Sequence, residues 1–184
     1  MGYRIGRLAN LPIINGMTLY IFVLGSHQWK HGGIEKISDN FDKLAKEIGP
    51  QGAVVMGHDG FDLSYELVDA LYNNGPNGIQ ELIIDGDRSG GAILILNKHP
   101  SQISDEDPIL FSPLDLLEKR AGGIDKFFTE LCEFSRKPNE NFGELFVKHK
   151  KGFLGRLFSF VELKPNVAGI GININALFED NSSN

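Results

Sequence analysis

Two His and four Asp stand in three Gly-containing stretches of the chain: Gly25-Ser26-His27, Gly57-His58-Asp59-Gly60-Phe61-Asp62 and Asp85-Gly86-Asp87-Arg88. Carboxylates with an occasional imidazole are the ligands of hard or borderline divalent ions such as magnesium, manganese or zinc. An ion so held polarises a phosphoryl group or activates a water molecule. In that chemistry Asp59, Asp85 and Asp87 supply the metal carboxylates, His58 is an assisting base or a further ligand, and Arg88 offsets phosphate charge. The reaction class is metal-dependent phosphoester hydrolysis, as in a nuclease.

A second constellation lies near the end of the chain. Lys148, Lys150, Lys151 and Arg156 surround Phe153 and precede Phe158 and Phe160. Cations interleaved with aromatic rings bind anionic lipid, nucleic acid or an acidic protein by combining charge with apolar contact. The same segment can equally dock on acidic stretches of its own chain, such as Asp105–Asp107 or the Glu-rich helix faces.

Each of these residues also has a structural use. Asp59 or Asp62 can cap a helix starting near Phe61 by accepting bonds from its free backbone N–H groups. Asp85-Gly86 and Arg88-Ser89-Gly90-Gly91 are ordinary turn residues. His27 and His31, beside Trp29 and Lys30, fit a solvated loop. Cys132 falls near the apolar face of a helix carrying Ile124, Phe127, Phe128 and Leu131, where a thiol is inert. Ser26 beside His27 makes no triad, because adjacency in sequence does not place a base on its nucleophile. The chain has neither a Gly-x-x-x-x-Gly-Lys phosphate cradle nor a His-Glu-x-x-His zinc motif.

The elements that position these residues follow from hydrophobic periodicity. Thr18–Leu24 and Ala53–Met56 are short apolar runs, the pattern of strands covered on both faces. Between them Ile34, Ile37, Phe41, Leu44 and Ile48 recur at steps of three and four, predicting a helix stopped by Gly49-Pro50. Leu63, Leu67, Val68 and Leu71 predict another, broken at Asn73–Gly78. Leu82–Ile84 and Ala92–Leu96 flank Asp85–Gly91 and predict a β-hairpin. Ser112-Pro113-Leu114-Asp115 reads as a helix start, with Gly122-Gly123 breaking that helix before a final one over Ile124–Phe134. Phe158–Leu163 and Gly169–Leu177 alternate as two more strands.

The fold class expected is α/β: a mixed, mostly parallel sheet in β-α-β-α-β-β order, layered with helices and followed by a β-rich C-terminal segment. That order is similar to the topology of thioredoxin-like folds, without their Cys-x-x-Cys. Asp85-Gly-Asp-Arg-Ser-Gly90 resembles the Asp-x-Asp segment of the Toprim metal-binding domain, with Asp59-Gly60 in the place of its Glu-Gly. The resemblance implies Asp59, Asp85 and Asp87 as metal ligands. It covers about a sixth of the chain, and the strand-like Ala92–Leu96 stands where a Toprim helix would follow.

Composition bounds the partners. With 18 Lys and Arg against 24 Asp and Glu, a net charge of -6 opposes broad adhesion to phosphate backbones. The chain of 184 residues fits one domain, with residues 143–180 as a candidate subdomain. One Cys closes no intramolecular disulfide, so a reducing compartment, the cytoplasm, is expected. Polar residues interrupt the first fifteen positions, so no secretory signal is expected there. No apolar run approaches the roughly 20 residues that span a bilayer. The leading expectation is a non-enzymatic α/β module binding a protein or small ligand at the strand-end crevice or at the basic C-terminal patch. The metal-dependent enzyme and the basic anion-binding surface are the alternatives, and a homo-oligomer is compatible with all three.

Overall fold

In the computed structural model, the structure describes residues 1–25, 33–58, 63–72, 78–88, 90–104, 107 and 109–136. Among the described residues, five strands make one mixed sheet: β1 (Gly2–Ile5), β2 (Leu19–Leu24), β3 (Gly52–Gly57), β4 (Ala92–Leu96) and β5 (Ile109–Pro113). Their spatial order is β1-β3-β2-β4-β5. β3 runs parallel to both β1 and β2, whereas β4 is antiparallel to both β2 and β5. Among the described residues six α-helices flank the sheet: α1 (Gly33–Asp39), α2 (Phe41–Ile48), α3 (Ser64–Tyr72), α4 (Ile79–Arg88), α5 (Leu114–Ala121) and α6 (Ile124–Arg136).

The apolar runs of β2, β3 and β4 are buried throughout, as expected of strands covered on both faces. Successive side chains alternate between faces. Ile21, Val23, Val54, Met56, Ile93 and Ile95 pack against α1, α2, α5 and α6. Phe22, Leu24, Val55 and Leu94 pack against α3 and α4. The chain is therefore a three-layer α/β structure with two cores on either side of one sheet. From β2 onward the elements run β-α-β-α-β-β and are followed by helices.

Several elements differ from the sequence reading. The hairpin expected across Leu82–Leu96 does not form, because the chain is helical from Ile79 to Arg88. A three-residue apolar run fits either state, and the deciding residues are Ile79 and Ile83, fully buried four positions apart on one face of α4. Gly86 is not a turn residue. A Cβ there would lie 2.5 Å from the Phe111 ring and 2.8 Å from Ala92 Cβ, so α4 sits on the sheet where glycine alone fits. The β-α-β-α-β-β order still holds, since Ala92–Leu96 is its third strand and Ile109–Pro113 its fourth.

The helix start expected at Ser112-Pro113 falls later. Ser112 is strand, Pro113 has φ -55 and ψ 143 as the capping residue, and the helix begins at Leu114. The single helix expected over Ile34–Ile48 is two, parted at Asn40, although all five apolar positions are buried as the periodicity predicts. Gly122 ends α5 in the left-handed conformation, as a helix-terminating glycine does. β1 escaped sequence reading because its four residues carry one buried side chain, the signature of a half-exposed edge. The strands expected at Phe158–Leu163 and Gly169–Leu177, and the candidate subdomain 143–180, lie outside the described residues.

Candidate ligand-binding rim

The site is built from strand ends. β2 and β3 are adjacent and parallel, with Val23 opposite Met56, so Gly25 and Gly57-His58 leave the sheet at the same end. β4 is antiparallel to β2, with Leu24 opposite Ala92, so Gly90-Gly91 enter the sheet there as well. After β2 the chain crosses to α1 and α2 on one face. After β3 it crosses to α3 and α4 on the other. Adjacent parallel strands whose connections part to opposite faces form a topological switch point, and ligands of open α/β sheets bind in the crevice outside it.

The floor of this rim is backbone and one side chain. Gly25, Gly90 and Gly91 take φ values of 153°, 102° and 110°, which residues with a Cβ rarely adopt. A Cβ on Gly25 would lie 2.5 Å from Ile34 Cδ1 and 3.3 Å from Gly91 Cα. One on Gly91 would lie 2.5 Å from Ile34 Cδ1 and 2.9 Å from the Leu24 carbonyl oxygen. The Gly91 N–H donates to the Gly86 carbonyl at 3.1 Å, and the Leu114 N–H donates to the Gly91 carbonyl at 2.9 Å. The end of α4, the start of β4 and the start of α5 are thus tied together at one glycine.

His58 follows β3 at this rim with its side chain exposed, and its N–H donates to the Ile5 carbonyl at 2.9 Å. Asp85 is exposed on α4, and Asp87 and Arg88 belong to the last turn of the same helix. That turn reaches the rim through the Gly86–Gly91 hydrogen bond. Asp59, His27 and His31 lie outside the described residues, as do Lys148, Lys150, Lys151 and Arg156. Among the described residues, no three His, Cys, Asp or Glu side chains are grouped to hold a metal ion.

A groove of about 480 Å³ lies between α2 and α6 and is lined in part by Lys43, Asp125, Phe128 and Cys132. Arg136 forms an ion pair with Glu47 beside it. Cys132 packs against the core, and burial pushes its thiol above the usual pKa, with Glu47 adding to the rise and Arg136 opposing it. A raised pKa lowers the fraction of thiolate at neutral pH.

Sequence reasoning missed the pairing of Gly25 with Gly91 over Ile34. The signal was present in three glycines flanking buried strands, but their proximity depends on β4 lying beside β2. In the loop after β4, His99 is 7% exposed. Its Nε2 lies 3.2 Å from the Leu11 carbonyl, its Nδ1 accepts from the Ser101 N–H at 3.2 Å, and its ring meets Tyr20 edge-on. Those partners fit the neutral ring with its proton on Nε2. Burial depresses its pKa, opposed by the Leu11 carbonyl.

No protein-family model, no curated protein and no solved structure matches the chain. Among the described residues no helix is long and apolar enough to cross a membrane.

Proposed function

We propose that the protein is a non-catalytic α/β binding module that holds a small ligand or a protein segment in the crevice between the carboxyl ends of β2 and β3. The observation that carries this reading is the parting of the two connections to opposite faces of the sheet at adjacent parallel strands. At its base a Cβ on Gly25 or Gly91 would stand 2.5 Å from Ile34 Cδ1, so backbone and the tip of Ile34 already fill the space between the two glycines. His58 supplies an imidazole at the edge for a polar contact.

The test is an amide-resolved NMR screen of the full chain against a library of small polar and aromatic fragments. Fragments that bind are expected to shift Gly25, Gly57, His58 and Gly91, and to lose affinity in His58→Ala. Fragments that shift only residues of the α2–α6 groove, or binding unchanged by His58→Ala with the rim signals unmoved, would place recognition elsewhere and end the reading.

A further inference from the structure

Tyr65 and Tyr72 are 65% and 70% exposed and lie two helical turns apart on the outer face of α3, with exposed Asp69 between them. Large aromatic rings held in water at that spacing make a surface suited to being covered. α4 packs alongside, the Gln80 side-chain amide donating to the Leu71 carbonyl at 3.4 Å, and presents Glu81 and Asp85 to solvent one turn apart. From residue 63 to 88 the chain carries Glu66, Asp69, Glu81, Asp85 and Asp87 against Arg88, a net of -4. The opposite helical layer differs, since α1, α2, α5 and α6 together mix nine acids with seven bases.

From residue 145 to 164 the same chain carries Lys148, Lys150, Lys151, Arg156 and Lys164 against Glu162, a net of +4. We propose that the segment Lys148–Arg156 docks on the α3–α4 face of its own chain, with its cations over Tyr65 and Tyr72 and beside Asp69, Glu81 and Asp85. An ammonium over a tyrosine ring gains from the ring quadrupole, and Phe153 adds apolar contact. The eleven residues between Arg136, where α6 ends, and Lys148 reach roughly 36–40 Å when extended. Helices packed at about 10 Å on either face of one sheet stand roughly 20 Å apart, so the far layer is within range around a sheet edge. Exposed ion pairs are weak one by one, but a tether of this length gives an effective concentration in the roughly millimolar range, which a free basic partner lacks. The inference is independent of the ligand reading of the rim.

Zero-length carbodiimide cross-linking of the full chain, read by peptide mass spectrometry on a mixture of isotopically heavy and light protein, tests this. The expected result is amide links within one chain from Lys148, Lys150 or Lys151 to Asp69, Glu81 or Asp85. They should fade at high salt and disappear in Lys148→Glu/Lys150→Glu/Lys151→Glu. Adding Asp69→Lys/Glu81→Lys/Asp85→Lys to that variant should restore links between the two segments. Links to the acids of α1, α2, α5 or α6 instead, links only between heavy and light chains, or no links at all would each overturn the proposal. Circular dichroism of both charge-reversed variants, expected to match the parent, keeps a loss of links from being a loss of fold.

Discussion

Gly91 approaches Gly25 so closely that a Cβ added to Gly25 would stand 3.3 Å from Gly91 Cα, with Ile34 Cδ1 wedged against both positions. A Cβ on Gly91 would also stand 2.9 Å from the Leu24 carbonyl oxygen, which is backbone, whereas one on Gly25 comes under 3 Å only to the tip of Ile34; both glycines belong to the rim where the ligand is proposed to sit. The neighbouring Gly90 shares the positive φ but has open space around it. This contrast separates two physical effects that a substitution at either site would otherwise mix.

Gly90→Ala is expected to cost about 1–3 kcal/mol, the strain of a side chain at that φ. Gly91→Ala should cost more, roughly 2–5 kcal/mol, because overpacking against Ile34 and the Leu24 carbonyl adds to strain. Ile34→Val in the Gly91→Ala background removes the Cδ1 atom and should recover about 1 kcal/mol. Equilibrium denaturation of the four proteins measures all three quantities. Equal costs at positions 90 and 91 would refute the close approach.

Gly86→Ala distinguishes a packed helix from a surface turn. In an exposed helix the change stabilises by about 1 kcal/mol. Here the new methyl would meet Phe111 at 2.5 Å, so a loss of roughly 1–3 kcal/mol is expected. Trimming the ring with Phe111→Leu should make the second substitution at Gly86 less harmful than it is alone. A stabilised Gly86→Ala protein would contradict the seating of α4 on the sheet.

Stability should fall in mild acid through His99. Burial holds its pKa below the usual 6.5, so the folded state binds a proton less readily than the unfolded chain does. The stability contributed by the neutral ring is complete above pH 6.5 and is lost as pH falls below it through the depressed value. Protonation at Nδ1 would also turn a donor toward the Ser101 N–H that it now accepts from. His99→Gln is expected to cost about 1–3 kcal/mol at neutral pH by disturbing these bonds. It should also flatten the pH dependence below 6.5, as read from urea midpoints across pH. An unchanged slope in the variant would assign the acid sensitivity to other groups.

The amino-acid order by itself determined which stretches are core. Val23, Val54 and Ile95 lie in short apolar runs rich in β-branched residues, the pattern of a covered strand, and Ile37, Phe41, Leu117 and Phe127 recur at helical spacing, so their burial follows from local pattern. Gly122 likewise marks its helix end by its own conformational freedom. What tertiary structure decided is everything that depends on a neighbour distant in sequence. Leu82–Ile84 became helix because Ile79 and Ile83 found the sheet beneath them, and β1 became a strand because β3 offered it hydrogen bonds. Of the residues with chemical potential, His58 was recognisable from its place after an apolar run. The meeting of Gly25, Ile34 and Gly91 was not, since it arises when antiparallel β4 joins the sheet beside β2, a pairing that no local periodicity encodes.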